Sequence, residues 1–168
     1  AAEGRYEEGA KLVESRKDEY GGRNEVLWNL DRGVFYHYAG KYKESNEAFE
    51  LAEQRMEELW SESVSGHIAA FLSNDNTLPY VGEDFEQVVV NIYRALNYAG
   101  LGDLEGALVE TRKVNERLTF INSKYEEKDR NEYREDAFAR ALAGIFYQIG
   151  GTRDDLNDAF ISYRNAVG

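Results

Sequence analysis

A short pattern that occurs twice in this sequence constrains its fold more than any other feature. In each copy a glycine is followed by an aliphatic residue, Phe and Tyr, and a second glycine comes four residues after the Tyr. The two copies are Gly33-Val34-Phe35-Tyr36 with Gly40, and Gly144-Ile145-Phe146-Tyr147 with Gly151. A small residue lets two helices approach closely, and a following glycine ends the first of them. The pattern is therefore typical of a helix–turn–helix repeat.

A third, more divergent copy lies between these two, with alanine in place of the first glycine. The aligned positions are Gly33/Ala95/Gly144, Tyr36/Tyr98/Tyr147, Gly40/Gly102/Gly151, Ser45/Ala107/Ala159, Phe49/Thr111/Tyr163 and Ala52/Val114/Ala166. We therefore expect an all-α fold, an array of antiparallel helical hairpins forming an α–α superhelix of about 7–8 helices.

The repeats divide the chain into segments of what we expect to be a single domain. The segments are a leading helix at 1–22, repeat one at 24–60, an insertion or loop at 61–82, repeat two at 83–126 and repeat three at 131–168. Apolar spacing predicts one helix over Tyr6–Glu19, which Gly21-Gly22 ends, and Asn24 is a predicted N-cap for the next helix. Repeat one is expected to end near Trp60.

Composition opposes several classes of function. The chain has 32 acidic and 20 basic residues and a formal net charge of −12, which disfavours binding to nucleic acid or to anionic lipid. It has no cysteine, and its two histidines, His37 and His67, show no metal-binding spacing, so we expect no metal and no cofactor. No stretch is long and apolar enough for direct membrane insertion.

The aligned positions resemble the tetratricopeptide repeat. The sequence departs from that family's pattern at the Trp and Leu positions of the first helix, where repeat one has Asn29 and Arg32, and it lacks the family's helix-ending proline. The separations between repeats also exceed the usual period of about 34 residues, which indicates insertions.

A second resemblance covers most of the chain and concerns a little-characterised family of bacterial cell-envelope lipoproteins built on such repeats. The segments that carry it are Tyr80-Val81-Gly82-Glu83-Asp84-Phe85-Glu86, Ala95-Leu96-Asn97-Tyr98, Ala107-Leu108-Val109-Glu110-Thr111-Arg112, Tyr133-Arg134-Glu135-Asp136-Ala137-Phe138-Ala139 and Asp158-Ala159-Phe160-Ile161-Ser162-Tyr163. The resemblance implies a periplasmic location, an N-terminal lipid anchor on a cysteine and a C-terminal extension. Because this sequence has neither of the last two, we expect it to be a fragment of a longer protein.

The predicted function is that of a non-catalytic scaffold that binds a protein or peptide partner. The first helix of each hairpin is expected to line a concave face, and the loop Ser73–Phe85 is a second candidate site. The predicted partner-binding residues are Val34, His37, Tyr38, Tyr80, Phe85, Tyr93, Leu96, Arg112, Ile145 and Gln148.

Two other interpretations remain open at this point. A small-molecule-binding domain or a helical hydrolase would use the loop Tyr80–Glu86 with Arg112 or Arg134, and a closed pocket of about 300 Å³ or more would favour it. Glu110 and Arg112 either form part of a polar groove or pair with charges on neighbouring repeats, and the second interpretation is favoured.

Overall fold

The protein is all-α and is built from antiparallel helical hairpins, as the repeat pattern predicted. The computed structural model describes residues 5–64, 79–124 and 137–167. The chain divides into two compact units, Ala1–Glu83 and Asp84–Gly168, and the boundary falls where repeat two was expected to start. The prediction that the chain is a single domain stays a prediction, and each unit is described by itself.

The first unit contains the leading segment and the first hairpin. Its helices are α1 Tyr6–Ser15, α2 Lys17–Tyr20, a short 3-10 turn at Gly22–Asn24, α3 Glu25–Tyr38 and α4 Tyr42–Val64. Helix α1 packs on α3, and α3 packs along α4. Helix α4 continues four residues past the predicted end at Trp60, and residues 65–78 of the predicted insertion lie outside the described residues.

The single leading helix predicted over Tyr6–Glu19 is wrong, because the chain leaves α-helical geometry at Arg16. The carbonyl of Val13 accepts the indole N–H of Trp28 at 3.0 Å, and the backbone N–H of Arg16 also donates to it at 3.2 Å. This contact with α3 tightens the last turn of α1 and starts a new helix. Asn24 precedes α3 but does not cap it, since its side-chain amide donates to the carbonyl of Tyr20 at 2.9 Å instead.

The second unit contains two hairpins. Its helices are α5 Asp84–Gly100, α6 Leu104–Lys124, α7 Ala137–Gly150 and α8 Arg153–Val167. Helix α5 packs along α6, α7 packs along α8, and α6 packs against α7. The first residues predicted for repeat three, 131–136, lie outside the described residues.

The turn of every hairpin has the same backbone conformation, at the positions aligned by the sequence pattern. Gly40, Gly102 and Gly151 have φ angles of 72°, 76° and 73°. A residue with a Cβ atom rarely adopts this left-handed conformation, and glycine adopts it at no steric cost. The shared angle confirms that the three hairpins end their first helices in the same way.

The small residue of the pattern lies where two helices cross. A Cβ atom added at Gly33 would lie 2.6 Å from the ring of Phe49, and one added at Gly144 would lie 2.6 Å from the ring of Tyr163. The hydroxyl of Ser45 donates to the carbonyl of Gly33 at 2.8 Å. The close approach expected from the sequence is therefore present in repeats one and three.

Two of the apolar clusters in the core of the second unit join α5, α6 and α7. The first contains Val88, Ile92, Val114, Leu118, Ile121 and Ala139, and the second contains Ala95, Ala107 and Phe146. Each cluster takes residues from α5, α6 and α7. Leu96 of α5 and Leu142 of α7 are partly buried and pack against both clusters.

Polar side chains connect the two hairpins of the second unit. The guanidinium of Arg140 on α7 donates to the side-chain carbonyl of Asn115 on α6 at 2.6 Å, and the amide of Asn115 donates to the hydroxyl of Tyr147 at 3.0 Å. Arg112 on α6 pairs with Asp155 at the start of α8 at 3.4 Å. These contacts add directional bonds to the apolar packing of α6 against α7.

Candidate functional site

The predicted residues of repeat one lie at the carboxyl end of α3, in an aromatic cluster. The ring of His37 meets Tyr38 edge-on at 5.2 Å and lies 5.9 Å from Tyr42 on α4, while Tyr6 of α1 lies 5.3 Å from Tyr38. Val34 and His37 are half-buried and Tyr38 is exposed. The cluster joins α1, α3 and α4, so these aromatic rings have a structural role whether or not they bind a partner.

The described end of the predicted binding loop is held against the first unit. The backbone N–H of Tyr80 donates to the carbonyl of Arg23 at 2.8 Å. Gly82 has a φ angle of 79°, and a Cβ atom there would lie 2.7 Å from the terminal methyl group of Met56. Residues 79–83 therefore have a defined conformation, while Ser73 and the following residues of the loop up to 78 lie outside the described part of the chain.

An exposed row of apolar side chains runs along α7. Phe138, Ile145 and Ile149 are 65%, 46% and 58% exposed, and Leu142 between them is half-buried. Their spacing of four, three and four residues places them on one face of the helix. The sequence prediction included Ile145 but missed Phe138, Leu142 and Ile149, although the helical spacing of these residues could have indicated them.

A second apolar row lies on α5. Phe85 is exposed, while Val89, Tyr93 and Leu96 are half-buried and follow at spacings of four, four and three residues. Leu96 and Leu142 pack against the same two core clusters, which connect the two rows. We call these eight residues, four from each helix, the α5–α7 surface. It contains the predicted residues Phe85, Tyr93, Leu96 and Ile145.

Two predicted residues of the second unit lie outside this surface. Gln148 is exposed, and its side-chain carbonyl accepts the hydroxyl of Tyr163 on α8 at 2.9 Å. Arg112 is on α6, where it pairs with Asp155, as the interpretation in terms of neighbouring repeats expected. Asp155 also accepts the hydroxyl of Thr152 at 2.6 Å, and this bond holds the pKa of its carboxyl below the usual value.

Glu110 lies inside the hairpin formed by α5 and α6. Its carboxylate pairs with the guanidinium of Arg94 at 3.2 Å and accepts the side-chain amide of Asn91 at 2.9 Å. The side chains of Glu110 and Arg94 are only 3% and 6% exposed. Glu110 therefore pairs within its own hairpin, and it is not available to a partner.

The shifted pKa values of the described residues all move away from neutrality. Burial and a hydrogen bond to Asp31 raise the pKa of Tyr20 to about 12, and burial and a hydrogen bond to Glu14 raise the pKa of Tyr36 to about 12. An efficient general acid or base has a pKa near the working pH. These two tyrosines therefore act as hydrogen-bond donors to carboxylates.

Among the described residues, no three His, Cys, Asp or Glu side chains form a group that could hold a metal ion. None of the described helices combines the length and hydropathy that crossing a membrane requires. A cavity of about 250 Å³ lies in the first unit, and none of its lining residues belongs to the loop Tyr80–Glu86.

No protein-family model matches this sequence, and neither a curated protein nor a solved structure matches it.

Proposed function

We propose that this protein is a non-catalytic interaction scaffold that binds a peptide segment of a protein partner through the α5–α7 surface. The observation that carries the proposal is the row of apolar side chains on α7, three of which are about half or more exposed. Contiguous exposed apolar residues on a globular protein commonly mark an interaction site. Tyr93 and Leu96 on α5 belong to a second row, which the shared core clusters connect to the first.

The geometry of the surface favours an amphipathic helical segment as the occupant. Helices that present apolar residues every three or four positions offer rows of side chains against which the apolar face of another helix packs. The net charge of −12 favours a partner segment with basic residues beside its apolar face, because opposite charges steer association and suppress wrong partners.

We place this activity in the bacterial cell envelope, on the periplasmic side. The support is the sequence resemblance to repeat-containing envelope lipoproteins, together with the hairpins and the glycine turns that such repeats use. The lipid anchor implied by that resemblance would hold the scaffold at the membrane while the hairpins bind the partner.

A pair of designed peptides tests the proposed occupant. One helical peptide has leucine at every third or fourth position and lysine elsewhere, and its counterpart has glutamate in place of lysine. We expect fluorescence anisotropy to show binding of the lysine peptide and at least about tenfold weaker binding of the glutamate peptide. Equal affinity for both peptides would contradict the charge argument.

Two matched double variants then locate the surface. Ile145→Ser with Ile149→Ser removes the centre of the α7 row, whereas Leu156→Ser with Phe160→Ser removes side chains of α8 that are 50% and 65% exposed. We expect the first variant to bind the lysine peptide at least about tenfold more weakly and the second to bind it normally. Both variants should keep the helical circular dichroism. An equal loss of affinity for the lysine peptide in the two variants would show nonspecific apolar binding and would contradict the proposal.

A further inference from the structure

A cavity of about 250 Å³ opens in the first unit between α2 and α3. It is lined by Lys17, Asp18, Tyr20, Gly21, Gly22, Glu25 and Trp28. The two glycines form an open rim, because no heavy atom lies within 4 Å of the position that a Cβ atom would take at either of them. A narrow molecule could therefore enter beside Gly21 and Gly22 without moving the backbone.

The aromatic wall of this cavity is held in place from behind. The indole N–H of Trp28 donates to the carbonyl of Val13 at 3.0 Å, and the hydroxyl of Tyr20 donates to Asp31 at 2.6 Å. The guanidinium carbon of Arg32 lies 4.4 Å from the centre of the Trp28 ring, and Arg32 is itself paired with a carboxylate of α1. The ring orientation is therefore fixed before any ligand binds.

The cavity already contains a cation that belongs to the chain itself. The ammonium of Lys17 lies 4.5 Å from the centre of the Trp28 ring, the distance at which a cation is attracted to an indole face. Lys17 is exposed and forms no ion pair within the described residues, so the ring contact is what positions its ammonium. The Lys17 side chain shows which chemistry the cavity accepts.

Two carboxylates complete a cation site. Asp18 is exposed and makes no salt bridge in the part of the chain that the structure describes. The carboxylate of Glu25 also forms an ion pair with Arg55, whose Nε lies 3.6 Å away. An aromatic face next to carboxylates is the arrangement that proteins use for alkylammonium and guanidinium groups.

We propose that this cavity binds a small organic cation, an alkylguanidinium or alkylammonium group, which takes the place of the Lys17 ammonium on the Trp28 ring. The inference stands independently of the α5–α7 surface, because it uses only residues of the first unit. Lys17 acts as an internal competitor, so its removal should strengthen the binding of an added cation.

The test uses the intrinsic fluorescence of Trp28 in a Trp60→Phe background, where Trp28 is the sole tryptophan. Butylguanidinium is the probe, and butylurea is its uncharged counterpart of the same shape. We expect Lys17→Ala to bind butylguanidinium about three- to fivefold more tightly than the Trp60→Phe protein does, and butylurea to bind neither. Lys11→Ala, which removes an exposed lysine of α1, is the matched control and should leave the affinity unchanged.

A second variant separates the role of charge from that of shape. Asp18→Asn removes a carboxylate that has no salt bridge to lose, so the fold should be unaffected and the affinity for butylguanidinium should fall about threefold. Butylurea binding as well as butylguanidinium, or an unchanged affinity in Lys17→Ala, would overturn the proposal. So would the absence of any fluorescence change in both proteins.

A pair of peptides distinguishes two sources of such a cation, an arginine side chain of a partner protein and a free small molecule. The pentapeptide Gly-Gly-Arg-Gly-Gly and its citrulline analogue present the same group on a chain. Binding of the arginine peptide alongside butylguanidinium assigns the cavity to a side chain of a partner, whereas binding of butylguanidinium alone assigns it to a free small molecule. If neither binds, the cavity is no cation site.

Discussion

Replacing Gly33 by alanine tests the close approach on which the hairpin depends. The added Cβ atom would lie 2.6–2.7 Å from three atoms of the Phe49 ring, where carbon atoms normally stay about 3.5–4.0 Å apart. Phe49 is 1% exposed, so its ring cannot move into solvent. The overpacking should cost about 3 kcal/mol, from which about 1 kcal/mol is recovered by the better helix propensity of alanine. The expected loss of unfolding free energy is therefore about 2 kcal/mol.

Two other glycines provide controls for the same substitution. A Cβ atom at Gly144 would lie 2.6 Å from the ring of Tyr163, but that ring is half-buried and can shift toward solvent, so we expect a change within about 0.5 kcal/mol. Gly22 has no atom within 4 Å of a Cβ position and should be equally tolerant. Phe49→Leu should partly restore a Gly33→Ala protein, because it removes the ring that clashes.

Urea unfolding followed by circular dichroism, combined as a double-mutant cycle for Gly33→Ala and Phe49→Leu, measures these effects. We expect a favourable coupling of at least about 1 kcal/mol between the two substitutions. The reasoning is refuted if Gly33→Ala is as stable as the unaltered protein. It is also refuted if Phe49→Leu lowers the unfolding free energy of the Gly33→Ala protein by as much as it lowers that of the unaltered protein.

Three further substitutions test other parts of the structure. The pKa of Tyr36 is raised to about 12 in the folded protein, above its unfolded value of about 10. The stabilisation that Tyr36 contributes is therefore complete below pH 10 and is lost as the pH rises toward 12. In unfolding measured as a function of pH, Tyr36→Phe should reduce this alkaline loss of stability by about 2 kcal/mol. Glu110→Ala leaves Arg94 buried without its carboxylate and should lower the unfolding free energy by about 3–5 kcal/mol in urea, whereas substitution of an exposed glutamate of α6 should have little effect. Thr152→Val removes the main cause of the depressed pKa of Asp155, so an NMR titration should show a higher pKa for this carboxyl. The loss of stability as the pH falls through the pKa of Asp155 should then be smaller than in the unaltered protein.

The hairpins could be predicted from the sequence because their signals are local. A glycine such as Gly40 ends a helix through its own backbone conformation, and a small residue such as Gly33 marks a crossing whatever the rest of the fold does. These signals need only a few neighbouring residues. The helix boundary at Arg16 could not be predicted in this way, because it depends on a hydrogen bond between Val13 and Trp28, on two different helices.

The candidate site was harder to predict because exposure is a tertiary property. Ile145 and Phe146 are adjacent apolar residues of one helix, yet Phe146 is buried in a core cluster and Ile145 is exposed. The helical period separates them into two faces, but only the packing of α6 against α7 shows which face remains open. Glu110 illustrates the reverse case, since a glutamate in a long helix is expected at the surface unless a buried arginine such as Arg94 lies opposite.

The hydrogen bonds of Asn115 have a consequence for how the second unit selects its native alignment. Arg140 and Tyr147 are seven residues apart, so they project from the same side of α7 toward a single amide on α6. A slip of α7 by one residue would rotate both groups by about 100° and break both bonds at once. Apolar side chains tolerate such a slip more easily, because one methyl group can replace another. We therefore expect this amide to fix the register of the two hairpins, and Asn115→Leu to give a unit that keeps its helices but populates more than one alignment, visible as peak doubling in NMR spectra.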